Sequence, residues 1–169
     1  MSGTTALIVR VPEADPVVSA AGHPWRPGYL RRQQAPHVTV LWPFAPSRLL
    51  DTTVSRRLRD MLRDVAAFTA TFSRPERFDD VAYLAPDDPE PFVELTELVV
   101  SAWPEYPPYR GAFTDVVPHL TVHPLPATTP VESWTALLPI STTVDVVELA
   151  VDHRWRGWRT VERFALSAR

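Results

Sequence analysis

Pro-His-Val-Thr-Val at residues 36–40 and Pro-His-Leu-Thr-Val at residues 118–122 are nearly the same five residues, and they decide how the chain is interpreted. A single His-x-Thr match would mean little in a chain of 169 residues that contains 5 histidines. Two copies that share their flanking proline and valine are a much stronger signal. The repeat predicts two similar halves, each with a strand that begins at a histidine, His37 or His119.

The alternation of side chains along a strand decides what each copy presents. Residues two positions apart point to the same face, so each motif offers an imidazole beside a threonine hydroxyl, with apolar side chains on the opposite face. The apolar face is expected to anchor the strand in a core, which holds the polar pair on a rigid element. If the two halves pack face to face, four polar residues converge: His37, Thr39, His119 and Thr121.

Two imidazoles and two hydroxyls are suited to acid–base chemistry on a phosphate. Histidine titrates near neutral pH, so one imidazole can remove a proton while a second, protonated imidazole donates one to a leaving oxygen. Threonine hydroxyls can donate hydrogen bonds to the non-bridging phosphate oxygens, where charge gathers during phosphoryl transfer. This chemistry needs no metal and no cofactor. The structural alternative is that the histidines merely begin two strands and that threonine is present for its β propensity.

The composition narrows the class of protein. A hydrophobic content of 45% is enough to bury a core, and a net charge of -3 argues against a surface that holds duplex nucleic acid, so a small or short substrate is favoured. The absence of cysteine excludes disulfides, thiolate nucleophiles and zinc sites that contain cysteine. Without a leader-like or membrane-length apolar run, we expect a cytoplasmic protein with no membrane partner, and a monomer by default.

Hydrophobic periodicity predicts the elements around the motifs. Three- and four-residue spacing predicts a helix after Ser47, capped by Asp51 or Ser47, a second helix over residues 91–103 and a short one over 131–138. Strands 68–72 and 80–85 are expected to pair as a hairpin. The complete set of predicted strands is 6–11, 37–41, 68–72, 80–85, 117–123, 144–151 and 159–166. Few helices and short strands predict an α+β protein with antiparallel sheet.

Two His-x-Thr-x motifs separated by roughly eighty residues, each with an apolar last residue, are the signature of the 2H phosphoesterase superfamily. The sequence resembles its bacterial branch of 2′-5′ RNA ligase-like and RNA 2′,3′-cyclic phosphodiesterase-like proteins. The resemblance covers most of the chain, including the opening strand, residues 81–84 and the closing hairpin of 146–149 with 162–166. It implies a single domain over residues 1–169, made of two similar lobes related by a pseudo-twofold axis. In such a bilobal fold, antiparallel sheets line a central cleft and helices lie outside.

The resemblance also implies roles for the motif residues. His37 and His119 would be the general acid and base, in an order that depends on substrate and direction, and Thr39 and Thr121 would donate to phosphate oxygens. The implied activity is that of a metal-independent phosphodiesterase acting on a 2′-linked or 2′,3′-cyclic nucleotide or RNA phosphate, with 2′-5′ ligation known for some members. The alternative is a module that binds a nucleotide or RNA end without efficient catalysis. A two-histidine metal site is disfavoured, because zinc normally takes three or more protein ligands.

Three further residues are candidates for substrate binding. Tyr83 lies in a strand that by resemblance borders the cleft, where its ring could stack on a base. Tyr109 lies in the loop before the second motif, where a mobile segment could cover the substrate. Arg154, beside Trp155 in the final hairpin, combines charge with a stacking surface. A place in the core, at the rim or in solvent is the alternative for each.

Two residues adjoin the motifs. Many relatives of the RNA ligase type carry an arginine shortly after the second motif, where this chain has His123 and Pro124, so His123 is a candidate for a weaker phosphate donor. Trp42 follows the first motif strand. By alternation from Thr39 it is expected to point away from the His–Thr face, into the core.

Overall fold

The fold is built from nine strands, four α-helices and three short 3-10 helices within the residues that the computed structural model describes, which are 3–21, 35–78, 81–113, 115–124, 132–153 and 157–168. The helices are α1 Asp15–Ala20, α2 Thr52–Leu62, α3 Glu90–Ala102 and α4 Glu132–Thr135. The strands are β1 Thr5–Arg10, β2 His37–Leu41, β3 Phe68–Phe72, β4 Arg74–Arg77, β5 Val81–Ala85, β6 Leu120–Pro124, β7 Ile140–Val144, β8 Val146–Asp152 and β9 Trp158–Ala165.

Seven of the strands form one sheet in the order β4-β5-β6-β2-β1-β8-β9, and every neighbouring pair in it is antiparallel. The other two, β3 and β7, pair with each other. The motif strands β2 and β6 are therefore direct neighbours at the centre of the large sheet. The predicted α+β class with antiparallel sheet is confirmed.

One face of the large sheet carries the core. The apolar residues of the motif strands are fully buried there, among them Val38 and Leu120, and they pack with Leu58 of α2 and Phe92 of α3. Burial of one side chain of this size stabilises the folded state by about 1.5–3 kcal/mol. The opposite face of the same strands is left to the polar residues of the motifs, as the alternation predicts.

The helices have the predicted local signals. Asp51 caps α2, since its carboxylate accepts hydrogen bonds from the backbone N–H groups of Thr53 and Val54 at 2.8 and 2.9 Å. Pro91 lies in the first turn of α3, where its missing N–H costs no hydrogen bond. The buried Thr96 hydroxyl of α3 donates to the Val40 carbonyl at 2.8 Å, which ties this helix to the first motif strand.

The hairpin prediction for residues 68–72 and 80–85 is wrong. All five residues of β3 pair with β7, from Phe68 opposite Val144 to Phe72 opposite Ile140. β5 pairs instead with β4, an exposed strand of sequence Arg-Pro-Glu-Arg at residues 74–77. Periodicity does not indicate β4, because it has no apolar alternation. Strand β7, the true partner of β3, was not predicted either, so β3 was given the wrong partner.

Other boundaries shift modestly. The predicted helix over 131–138 is reduced in the described residues to the single turn of α4, and α1 was not predicted. The strand predicted over 144–151 begins after Asp145, which separates β7 from β8. Within the described part of the chain, no helix is both long enough and apolar enough to cross a membrane.

Candidate active site

The register of β2 against β6 joins the two motifs. Val38 lies opposite Leu120 in this antiparallel pair, and both side chains are buried in the core. The residues directly before and after Val38 and Leu120 point to the opposite face of the sheet. On that face, directly opposed Cβ atoms lie about 4.5–5.5 Å apart. The polar residues therefore form two cross-strand pairs, His37 with Thr121 and Thr39 with His119. They converge because the two strands lie side by side in one sheet, and not because two halves pack face to face.

The four residues are open to a ligand to different degrees. His37, Thr39 and His119 are partly buried, whereas Thr121 is exposed. Neither threonine hydroxyl has a hydrogen-bond partner among the residues that the structure describes. Both hydroxyls are thus available to donate to an anion on this face.

The two imidazoles are held in the same way. Nδ1 of His37 lies 2.9 Å from the Ala35 carbonyl oxygen, and Nδ1 of His119 lies 2.8 Å from that of Val117. A carbonyl oxygen only accepts, so Nδ1 carries the hydrogen in each ring. Nε2 is then the nitrogen of each neutral imidazole that can accept a proton, and both motif copies present the same tautomer.

The surroundings favour the neutral form of both rings. Burial lowers the pKa of His37, the hydrogen bond to Ala35 opposes this, and the positive charges of His119 and Arg10 lower the pKa further. Burial also lowers the pKa of His119, against the hydrogen bond to Val117. A phosphate anion beside them would reverse the balance for one ring, because an opposite charge within a few ångströms favours protonation.

We expect both imidazoles of the unliganded protein to titrate below the usual value of 6.5. Folding then favours the neutral rings, so stability is gained as the pH rises from the lowered pKa values to 6.5 and is lost as it falls. NMR titration of ring nitrogens, assigned with His37→Ala and His119→Ala, measures both midpoints. The same protein unfolded in urea is the control and should return both midpoints to the usual value. A folded-state midpoint above that of the unfolded chain would contradict the expectation.

Two aromatic rings border His119. Tyr83 lies opposite Thr121 in the β5–β6 pair and is stacked on Phe78, with ring centroids 4.2 Å apart. Both rings meet the His119 ring at a steep angle, Phe78 at 5.1 Å and Tyr83 at 5.4 Å. Burial raises the pKa of Tyr83, and the Glu76 carboxylate adds to the effect. The predicted tyrosine is thus next to the motifs, and it packs against a motif histidine.

Phe78 was missed by the sequence analysis. Tyr83 is only 6% exposed, whereas Phe78 is 36% exposed, so Phe78 has more ring surface that a ligand could contact. Its signal in the sequence is weak, because it follows the polar strand β4 and belongs to no motif. A direct role of Tyr83 in substrate binding stays a prediction.

A β-bulge changes the alternation at the end of the first motif strand. Ile8 of β1 lies opposite Thr39, but Leu7, the residue before Ile8, lies opposite Leu41. Val40 is therefore an extra residue of β2 that has no partner residue in β1. Both Val40 and Leu41 are buried in the main core. The strand therefore resumes with its faces exchanged.

The prediction that Trp42 points away from the His–Thr face is wrong for this reason. Trp42 is partly buried and packs against a small cluster on that face, made of Ala6, Ile8 and Ala150. The centroid of its ring lies 6.0 Å from that of Tyr109, and its carbonyl oxygen accepts a hydrogen bond from the Tyr109 N–H at 2.7 Å. The structure thus brings Tyr109 to the end of the face where Trp42 lies.

Tyr109 is held there by an unusual backbone. Its φ is 49° and that of Arg110 is 59°, so two successive non-glycine residues adopt the left-handed conformation. Each such residue costs about 1–3 kcal/mol, which the surrounding contacts must offset. Burial raises the pKa of the Tyr109 hydroxyl. The predicted substrate contact by Tyr109 stays a prediction.

The remaining candidates fall outside this geometry. Arg154 lies outside the described residues, as does the side chain of His123, whose backbone lies opposite Ala82 in the β5–β6 pair. A separate cavity of about 570 Å³, lined by residues that include Tyr106 and Arg110, contains none of the motif residues. No three His, Asp or Glu side chains within the described ranges cluster so that they could hold a metal ion.

The family model described as the 2′-5′ RNA ligase superfamily matches residues 13–156, a range that contains both motifs and seven of the nine strands. The chain belongs to this superfamily. The resemblance that the motifs indicated is confirmed. No match is found among proteins with curated descriptions.

Solved structures share the fold of this superfamily member. Escherichia coli LigT complexed with 3′-AMP aligns with a TM-score of 0.65 at 16% identity, over 98% of this chain and 99% of that one. The protein TT0787 of Thermus thermophilus aligns with a TM-score of 0.64 at 19% identity, over 99% of each chain. A structure described as a phosphoesterase aligns with a TM-score of 0.62 at 16% identity, over 99% of each chain. The superfamily fold, as predicted, extends over nearly the whole chain.

Proposed function

We propose that this 2′-5′ RNA ligase-like enzyme is a metal-independent phosphodiesterase that acts on a 2′-linked or 2′,3′-cyclic phosphate of a nucleotide or RNA end. The observation that carries the proposal is the register of Val38 with Leu120, which places the two His–Thr pairs side by side on one face of β2 and β6. Both imidazoles share a tautomer with Nε2 able to accept a proton, and both hydroxyls are without a partner in the described part of the chain.

In hydrolysis the phosphate lies between the two imidazoles. We assign His37 as the base, because burial and the positive charges of His119 and Arg10 disfavour its protonation, and His119 as the acid, which takes a proton from solvent once the bound anion raises its pKa. The base takes a proton from water as its oxygen bonds to phosphorus. The acid gives its proton to the 2′ or 3′ oxygen as the bond from that oxygen to phosphorus breaks.

The threonines act on the charge that develops during this step. Thr121 lies opposite His37 and Thr39 opposite His119, so each hydroxyl can donate to a non-bridging oxygen beside the imidazole it faces. Ligation of a 2′,3′-cyclic end differs in its nucleophile: a 5′ hydroxyl of a second RNA end replaces water, gives its proton to the base and bonds to phosphorus, while the acid protonates the released 3′ oxygen. The histidines keep their roles, and the available nucleophile selects between hydrolysis and formation of a 2′-5′ bond.

Small nucleotides are the proposed ligand class. Structures of Escherichia coli LigT are described as complexes with 3′-AMP, with NADP+ and with ATP, which supports this class for a member of the same superfamily. The exposed ring of Phe78 beside His119 offers a surface for the base. Stacking of a base on an aromatic side chain contributes about 1–3 kcal/mol.

The test is an assay of the wild-type protein in excess chelator on three matched substrates. These are a 2′,3′-cyclic mononucleotide, a 2′-5′ dinucleotide and the 3′-5′ dinucleotide of the same bases, which serves as the control. We expect turnover of one or both of the first two and none of the third. Binding without product would contradict the enzymatic proposal and favour a nucleotide-binding module. Activity that depends on added metal would contradict the mechanism.

A further inference from the structure

A buried carboxylate on the His–Thr face forms ion pairs with two arginines. Glu148 of β8 is 4% exposed, and its carboxylate accepts from Arg10 Nε at 2.7 Å and from Arg163 Nε at 2.9 Å. Thr160 Oγ1 donates to the same carboxylate at 2.5 Å and accepts from Nη2 of Arg10 at 3.0 Å. Glu148 thus fixes the orientation of both guanidinium groups.

This cluster keeps an excess of positive charge. Burial alone would raise the pKa of Glu148, but the hydrogen bonds from Thr160, Arg10 and Arg163 outweigh burial and hold that pKa below its usual value. One carboxylate against two guanidinium groups leaves one net positive charge. Arg163 retains 67% and Arg10 38% of side-chain exposure, so N–H donors of both remain accessible to a ligand.

The cluster adjoins the motif residues on one side only. Arg10 lies directly opposite His37 in the β1–β2 pair, and Glu148 lies opposite Ile8, the cross-strand neighbour of Thr39. Phe78, with Tyr83, adjoins His119 on the β5 side of the same face. In the order β5-β6-β2-β1-β8-β9, an aromatic surface therefore lies to one side of the two motifs and a positive cluster to the other.

We propose that Arg10 and Arg163 form a subsite for a second phosphate group of the substrate, one that does not react. The inference rests on the proposed function, because the reacting phosphate between the histidines defines where the rest of the substrate lies. Guanidinium groups held by a carboxylate are suited to this task, since they lose little freedom when they bind an anion through charge-assisted hydrogen bonds. Glu148 is the positioning residue of the subsite.

The position of the subsite also indicates which part of the substrate it recognises. With the base on Phe78 and the reacting phosphate between the histidines, the next phosphate along the chain is the group that extends toward β1, β8 and β9. A cyclic mononucleoside phosphate lacks this group, whereas an RNA end or a nucleotide with a further phosphate carries it. The subsite therefore adds affinity for substrates with a second phosphate, whereas the reacting phosphate alone is enough for turnover.

Binding of two nucleotides by calorimetry tests the subsite without turnover. Adenosine 3′-monophosphate and adenosine 3′,5′-bisphosphate differ only by the second phosphate. We expect the wild type to bind the bisphosphate about tenfold or more tightly at low salt, which is the effect of one added charge-assisted contact. In Arg163→Ala this advantage should fall to about twofold or less, and Arg10→Lys, which keeps a cation beside Glu148, should also reduce it.

Arg59→Ala is the matched control. Arg59 of α2 pairs with Glu162, the neighbour of Arg163 on the other side of β9, at 2.5 Å. Arg59→Ala removes one positive charge near β9, as Arg163→Ala does, but on the opposite side of that strand. The tighter binding of the bisphosphate should therefore be retained. Equal affinities in the wild type, binding of neither nucleotide, or an equal effect of Arg59→Ala would overturn the subsite. Absence of turnover on the assay substrates with the bisphosphate advantage intact would contradict the proposed catalysis alone.

Discussion

Alanine at His37 or at His119 is expected to lower kcat on the best assay substrate by a factor of about 10²–10⁴, because each change removes one of the two proposed proton-transfer groups. The remaining imidazole cannot both take the proton of water and supply the proton of the leaving oxygen. The two residues act as a unit, so the double variant should be little worse than either single variant. Steady-state kinetics with the metal chelated measures all three.

The matched control is His153→Ala, which removes an exposed imidazole just beyond the end of β8. It should retain activity within about twofold, and all four variants should unfold in the same temperature range, because none of the three histidines belongs to the hydrophobic core clusters. Substantial activity in either motif variant would exclude the two-histidine mechanism. A matching loss in the control would show that the assay responds to something other than the motifs.

Truncation of Phe92 to alanine should have the largest effect on stability, lowering the free energy of unfolding by about 3–5 kcal/mol. Phe92 is 1% exposed on the sheet side of α3, where its ring meets that of Phe68 at 5.3 Å and that of Phe72 at 6.5 Å. The change leaves a cavity between α3 and β3. Since a domain of this kind is stable by only about 5–15 kcal/mol, the loss takes a large part of the total.

Urea unfolding of Phe92→Ala beside Phe113→Ala provides the comparison. Phe113 has the same side chain but is 63% exposed, so its removal should cost about 0.5 kcal/mol or less. Similar losses for the two variants would mean that the core between α3 and β3 does not contribute in the way described.

The features that sequence reasoning obtained correctly are those that follow from local patterns. Alternation within five residues places His37 and Thr39 on one face, and helical spacing with Asp51 as a cap places α2. The duplicated motif then indicates that two such strands belong to one site. That they are adjacent in a single sheet follows from the register of Val38 with Leu120, which no local pattern contains.

The features that sequence reasoning missed depend on pairing between residues that are distant in the chain. The partner of β3 lies about seventy residues away in β7, and the bulge at Val40 is defined only against β1. Arg10 and Arg163 come from opposite ends of the chain and are brought together by Glu148. Each looks like an ordinary surface residue in its own segment, so the positive cluster becomes visible only once the sheet is formed.

The central position of β2 also has a consequence for synthesis on the ribosome. β2 pairs with β1 along one edge and with β6 along the other, and β1 pairs with β8 along its second edge. Both β6 and β8 are translated much later than β1 and β2. At about 5–20 residues per second, the delay between the two motifs is roughly 4–16 s. During that interval the nascent chain has apolar strands with unpaired edges, which are prone to associate with other chains. The strand edge that completes the candidate active site is thus also the edge that a ribosome-associated chaperone would have to shield.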